Sequence, residues 1–303
     1  MEHLTFNVND GYLEALTRGH QEGFLTSGDY FTLTQCETMD DVLMHCGLTD
    51  YAQYFQGVRS PLSTSTVRER CQAKLVDDFK YMRSQAVADM AKFLDYITYG
   101  YMIDNVVLII LGTLHGRELS QVIDRLHPLG MFDGIQSLAV AMSPAELYDS
   151  ILVESPIGKY FQASFLSEEA SLTELNIEVI RNILYKAYLE DFYDFTQRLG
   201  GGTAEVMKEV LGFEADRRTI NITLNSFGTE LTREEKRSLM PEIGLLYPDS
   251  LEPLLTATDY DGVRAAVDRY DELREIFQEA VVSPAKSLED IFFAKEVDMH
   301  MIS

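Results

Sequence analysis

The sequence predicts an all-α fold. Three observations carry that expectation: where the prolines fall, how the apolar residues are spaced, and the near absence of period-two alternation. The eight prolines stand at 61, 128, 144, 156, 241, 248, 253 and 284, leaving 62–127 and 157–240 proline-free. A proline inside a helix removes a hydrogen bond and clashes with the preceding turn. Long helices are therefore expected in the two free stretches, and short, bent elements elsewhere. Within the free stretches, apolar residues recur every three or four positions. Leu75, Phe79, Met82, Ala86, Met90, Phe93 and Ile97 form one such stripe, and Ile177, Ile180, Leu184, Tyr188, Phe192 and Phe195 a second. Val206, Val210, Phe213, Arg217, Ile220, Leu224 and Phe227 form a third, with one arginine among its apolar members. This is the spacing of a helix face turned to a core.

The short elements repeat. Leu33 to Phe55, Leu138 to Phe161 and Leu254 to Phe277 each run from a leucine to a small residue (Cys36, Ala141, Ala257), then to a helix-capping type (Thr38, Ser143, Asp259). Val42, Leu147 and Val263 follow in turn, and each segment closes on an aromatic-Phe or Ile-Phe pair. Ser143-Pro144-Ala145-Glu146 has the form of a capping box with proline at the first helical position, and Thr38-Met39-Asp40-Asp41 is a weaker version. Between these segments, Asp104–Leu119 and Asp216–Leu231 both end in Gly-x-Glu-Leu. Each unit thus reads as a short-helix half followed by a long helical pair, which predicts three pseudo-symmetric helical domains at 1–119, 120–231 and 232–303. The third is expected to lack its C-terminal hairpin: Ile291, Phe292, Phe293 and Val297 begin an apolar stripe that Ser303 stops.

Charge narrows the partners. Lys plus Arg number 25 against 49 Asp plus Glu, a net charge of −24. Nucleic-acid binding draws on basic side chains that displace counterions, and docking on an anionic leaflet draws on the same residues. Both are disfavoured, and the expected partners are proteins. Cys36, Cys46 and Cys71 are too few and too scattered for a disulfide framework, so reduced thiols are expected. The N-terminus carries no signal-like segment. The most apolar stretch, Met102–Leu114, is shorter than the ~20 residues a membrane span needs.

No motif for chemistry survives inspection. Gly200-Gly201-Gly202-Thr203 lacks the lysine and the preceding strand of a phosphate loop, and reads as a turn with Thr203 capping the next helix. Asp259-Tyr260-Asp261-Gly262 lacks the remaining ligands of a calcium loop and reads as a helix start. The histidines at 3, 20, 45, 115, 127 and 300 have no metal-ligand spacing, and Asn221-Ile222-Thr223 is a chance sequon. The doublets Asp40-Asp41, Asp77-Asp78, Glu168-Glu169 and Glu234-Glu235 read as solvated faces or first-turn acids. One polar feature stands out. Arg217 lies on an apolar stripe, Asn105 takes the aligned place in the first unit, and each follows an aspartate, Asp216 and Asp104. A polar group in a helical core needs partners, so this pair is expected to latch helices together, with Arg217 buried.

Several segments resemble one family. They are Gln35-Cys36-Glu37-Thr38, Phe93 through Val106 (FLDYITYGYMIDNV), His127-Pro128-Leu129-Gly130, Asn176–Tyr193 and Phe213–Leu231, with similarity reaching the Ser287–Phe293 segment. Together they are similar to subunit d of the vacuolar-type proton-pumping ATPase, whose family extends to the C-type subunits of archaeal and bacterial ATPases. The resemblance implies a funnel-shaped, all-helical body of three similar domains. It also implies a non-catalytic rotor adapter on the cytosolic face of vacuolar or other acidic endomembranes. Such an adapter seats on the proteolipid c ring, receives central stalk subunits D and F, and has subunit a nearby. Membrane contact is then indirect, and no catalytic residue, cofactor or metal site is expected. A general helical-repeat scaffold for cytosolic partners is the alternative; an enzyme is the remotest reading, because no nucleophile–base or metal constellation is present.

Overall fold

A computed structural model describes residues 10–135, 155–161, 174–282 and 286–302. Every regular element among them is a helix or a short 3₁₀ turn. The long helices fall in the two proline-free stretches, as α5 (Thr64–Gln85), α6 (Ala88–Leu114), α8 (Glu174–Leu199) and α9 (Gly201–Asn225), with the short α7 (Leu119–Ile123) between the pairs. The chain divides into two compact units, Met1–Ile97 and Thr98–Ser303, and the division falls within α6.

The first unit packs α1 (Gly11–Glu22), α2 (Ser27–Thr34), α3 (Met39–Cys46) and α4 (Ala52–Phe55) with α5. Local chemistry sets the helix starts. Thr26 accepts from the Asp29 amide while Asp29 accepts from the Thr26 amide, and Thr38 and Asp41 do the same at α3. Each box satisfies two backbone N–H groups that a helix start leaves without partners. The apolar stripe from Leu75 to Ile97 does not lie on one helix. The chain leaves the helix at Ala86, and Ala88 re-enters it through a left-handed φ of 48°, so the stripe is shared between α5 and α6. Phe79 and Ala86 are buried, but Leu75 is 51% exposed. Tyr30, Phe31, Met44 and Leu48 also lie exposed on this unit.

The second unit is built on the antiparallel pair α8 and α9. All six members of the Ile177–Phe195 stripe are buried. The turn between the helices differs in register from the sequence expectation. Gly200, at φ 72°, already redirects the chain and serves as the cap, so α9 begins at Gly201 and Thr203 lies inside its first turn. Beyond α9 come α10 (Arg233–Leu239), α11 (Leu251–Thr256), α12 (Tyr260–Val267), α13 (Asp271–Val282) and α14 (Leu288–Ile302). Asp259 caps α12 by accepting from the Gly262 amide at 2.8 Å. One core joins Phe213, Ile220, Leu246, Leu254, Val263, Val267, Leu273, Ile276, Phe277, Ile291 and Phe292. Burying one such side chain is worth about 1.5–3 kcal/mol before entropy, so this cluster anchors the C-terminal helices to α9. Phe293 and Val297, the other members of the terminal stripe, are exposed.

The repeated Phe residues share an environment: Phe55, Phe161 and Phe277 are all buried. The Ser143 capping box, with Ala141 and Leu147, lies outside the described residues, as does Glu168-Glu169. Helix α6 is long and apolar enough to cross a membrane by length and composition, because its apolar run extends back well before Met102. Part of it is buried within the protein: Ile103, Val106 and Ile109 are wholly buried.

Candidate interaction site: two clasps on the long helices

The paired polar residues resolve into two backbone clasps, both in the second unit. On α6, Asn105 is 2% exposed. Its Nδ2 donates to the His127 carbonyl at 2.9 Å, and its Oδ1 accepts from the His127 amide at 2.8 Å. Both polar ends of the side chain are thereby satisfied by one residue, as a buried amide requires. The 3₁₀ turn Pro128–Gly130 follows, pressed close on the helix. A Cβ on Gly130 would stand 2.3 Å from the Tyr101 carbonyl oxygen, so only glycine fits there. The Tyr101 and His127 rings stack at 4.0 Å and close the clasp. Burial holds the His127 imidazole below its ordinary pKa, against the opposing charge of Asp104.

On α9 the clasp residue is Asp216, 1% exposed, not Arg217. Its carboxylate accepts from the Leu245 amide at 2.8 Å and the Leu246 amide at 2.9 Å. Gly244, at φ 99°, makes the approach possible: a Cβ there would meet Asp216 Oδ1 at 2.5 Å and the Gly212 carbonyl at 2.8 Å. The segment Met240–Asp249 therefore lies as a strap over α8 and α9. Lys186 Nζ donates to the Met240 carbonyl at 2.9 Å, and the Glu242 amide donates to Glu190 at 2.8 Å. Met240 and Leu246 of the strap are buried. Beside it opens a cavity of about 450 Å³ lined by Tyr193, Lys208, Glu209, Asp216, Glu242 and Glu272, among others. Burial pushes the Asp216 carboxyl up to about 7; the two amide bonds pull it the other way, and Glu272 adds to the rise.

Arg217 does join helices, through Glu289 on α14, but departs from the sequence expectation in its burial. Its side chain is 22% exposed and pairs with Glu214 at 2.7 Å and Glu289 at 3.6 Å. A long guanidinium can leave an apolar stripe by extending its stem toward the edge of the core, which a shorter carboxylate cannot. Burial works against its charge, yet the glutamates, Glu214 above all, hold its pKa above the ordinary value. Asp104 likewise faces outward and pairs with Arg181 on α8 at 3.1 Å. The aligned pairs thus exchange roles by one position: Asn105 clasps in the first, Asp216 in the second.

The remaining sequence candidates are apart from these clasps. Cys36, Cys46 and Cys71 are free thiols in the first unit; burial raises the pKa of Cys46 and Cys71. His20 and His45 lie beside Asp78 and Asp29 at 3.5 and 3.4 Å. Asp41 and Glu235 serve in capping boxes, while Asp78 pairs with Lys74 at 2.6 Å in mid-helix. Asn221 lies within α9 and donates to Glu289. No group of three or more His, Cys, Asp or Glu side chains that could hold a metal ion occurs among the described residues. Sequence reasoning missed Gly244, Tyr185 and Arg218. Arg218 stacks on the Tyr185 ring, 3.2 Å from its centroid, and burial raises the pKa of the Tyr185 hydroxyl. A tyrosine standing just off the register of an apolar stripe carries no signal of such stacking.

Comparison with known proteins fits this architecture. The family model described as ATP synthase (C/AC39) subunit matches residues 13–302. The chain is 51% identical over 296 residues to "V-type proton ATPase subunit d2" of Arabidopsis thaliana, covering 98% of this chain and 84% of that protein. It is 48% identical over 301 residues to the V-type proton ATPase subunit d of Dictyostelium discoideum, covering 99% and 84%. For the subunit d of Saccharomyces cerevisiae the identity is 43% over 302 residues, covering 99% and 86%. By the extent of these matches, the chain belongs to the ATP synthase (C/AC39) subunit family, together with the V-type proton ATPase subunits d.

Proposed function

We propose that this chain is a non-catalytic rotor adapter of a V-type proton ATPase, joining the central stalk to the proteolipid ring during ATP-driven proton transport. Its membership in such a complex follows from the family, and the complex is at home on endomembranes. The observation that carries the reading is near-full-length similarity to subunits d from plants, an amoeba and a fungus. The proposed neighbours are the proteolipid c ring, stalk subunits D and F, and subunit a beside them. The body is taken as three pseudo-symmetric parts, 1–119, 120–231 and 232–303, forming a funnel. The net charge of −24 supports contact with the membrane through protein subunits on the cytosolic face, since anionic headgroups repel such a surface. Exposed Tyr30, Phe31, Met44 and Leu48 support coverage of the first unit by a protein partner. Buried clasps and a packed core suit a part that must transmit torque, because a core at crystal-like density deforms little.

Affinity purification of the tagged chain from its own cells tests this. Co-purification of the c ring with subunits D and F is expected, and depletion of the chain should abolish ATP-driven acidification of membrane vesicles. Recovery of the chain without any of these subunits would overturn the reading. The isolated chain should bind no nucleotide by calorimetry and remain unbound to anionic liposomes at physiological salt.

A further inference from the structure

We propose that α2, α3 and the turns at their ends form a docking seat for a cationic amphipathic helix of a protein partner. The apolar face of that helix rests on Phe24, Tyr30, Phe31, Met44 and Leu48, and its lysines and arginines meet the acids around them. The inference rests on the reading that a protein covers the first unit, and it adds the chemistry of that protein. All five apolar side chains are exposed, Phe31 by 68% and Leu48 by 83%. They come from adjoining stretches of chain. Helices α2 and α3 pack together, and Asp29 near the start of α2 stands 3.4 Å from His45 near the end of α3, so the two run antiparallel. The Asp50 carboxylate lies against Gly23, which brings the turn after α3, with Leu48, back to the turn that carries Phe24. Single exposed leucines are ordinary on a protein surface, but several large apolar side chains on one pair of short helices mark a contact surface. Two adjoining helices leave a furrow between them, into which a ridge of a third helix fits.

Charge decides the rim of the partner. Residues 11–55 carry seven Asp and Glu against one Arg and no Lys, whereas α5, in the same unit, carries five Lys and Arg against three acids. The apolar side chains therefore belong to the acidic part of the unit and not to its basic helix. The one arginine, Arg18, is held by Glu14 at 2.7 Å. Glu22, Glu37, Asp40 and Asp50 are exposed, and no salt bridge neutralises them among the described residues. Glu22 ends α1 two residues before Phe24, Glu37 and Asp40 flank the start of α3, and Asp50 follows Leu48. Opposite charge across an interface steers encounter and like charge opposes it, so these acids select a helix rimmed with Lys and Arg over an acidic one. They also disfavour an anionic lipid surface, the other taker of an exposed apolar patch.

Synthetic helices titrated into the full chain, followed by calorimetry, test the seat. An amphipathic leucine–lysine peptide should bind. A glutamine–lysine peptide of the same charge and a leucine–glutamate peptide with the same apolar face should each bind at least about tenfold more weakly. Joint Phe31→Ser and Leu48→Ser, which alters exposed side chains only, should leave Tm unchanged and weaken the leucine–lysine peptide about tenfold. Joint Glu22→Lys and Glu37→Lys should weaken it by a similar factor. Equal binding of the glutamine–lysine peptide would overturn the proposal, as would leucine–lysine binding left unchanged by the apolar pair or by the charge pair. Adsorption to phosphatidylcholine vesicles that the apolar pair abolishes would overturn it in favour of lipid. Co-purification of ring and stalk subunits with a chain that gives any of these results would strike the seat and leave the proposed function standing.

Discussion

At Asn105 the side chain offers one donor and one acceptor and meets one of each on His127. At Asp216 the side chain offers acceptors alone and meets two backbone N–H groups. Both fasten a glycine-bearing segment onto a long helix, yet they divide differently into what is neutral and what is charged. The amide clasp is complete in itself, closed by Gly130 and the stacked Tyr101–His127 rings. The carboxyl clasp leaves an ionisable group buried beside a cavity lined with further acids. The same mechanical task is thus done once by a neutral amide and once by an ionisable carboxyl.

The comparison can be broken most sharply at the glycines. Gly244→Ala places a Cβ against Asp216 Oδ1 and the Gly212 carbonyl and also strains a left-handed residue, so it should cost ~3–4 kcal/mol and a large fall in Tm. A Tm within a degree of wild type would show that the strap is not held as described. Asn105→Ala comes next. It strands the His127 N–H and C=O in a closed site, which should cost ~2–3 kcal/mol; differential scanning calorimetry measures it. Asp216→Ala should cost less, ~1–2 kcal/mol at pH 7, because the adjoining cavity can admit water to the freed amides. If Asp216→Ala proved the more damaging of the two, the contrast between a closed and a wet clasp would fail. Arg217→Ala should be smallest, ~1 kcal/mol or below, since Glu214 keeps its pair with Arg218 at 2.6 Å and the other partner, Glu289, is 63% exposed. A loss of several kcal/mol in thermal melts would return Arg217 to the core. At His127 the depressed pKa makes the neutral ring part of the native state. Its contribution is present above the unfolded pKa and declines as pH falls through the folded value, so the stacked clasp should weaken in acid.

Much of this is legible in the order of residues alone. Proline placement located all four long helices, because steric exclusion from a helix interior does not depend on context. The Ile177–Phe195 stripe named a buried face without error, since all its members lie on one side of α8. Thr38 and Asp259 announced their helix starts for an equally local reason. What escaped was decided by partners distant in sequence. Arg217 and Asp216 are adjacent, and only the approach of Leu245 and Leu246 selects the aspartate as the fastening. The stripe from Leu75 to Ile97 kept its period across a break at Ala86–Ala88, where no glycine or proline marks the interruption. Periodicity reports which residues share a face; it does not report whether the backbone beneath is continuous.

Helix α6 carries one more consequence. Its 27 residues pass by length and composition for a membrane span, and its apolar side is covered in part by α8, to which Asp104 and Gly100 are joined through Arg181 and Tyr185. On the ribosome that cover does not yet exist when α6 emerges. At roughly 5–20 residues per second, the chain through Leu199 arrives several seconds to a quarter of a minute later. During that interval α6 offers a targeting factor or a lipid surface much of what a true membrane segment offers. Asp104 and Asn105, set near the start of its most apolar run, oppose insertion because a buried polar side chain in lipid is expensive. The residues that fasten the finished fold therefore also mark its nascent chain as one to be kept out of the bilayer, and replacing both with leucine should raise its misdelivery to membranes in a cell-free translation assay.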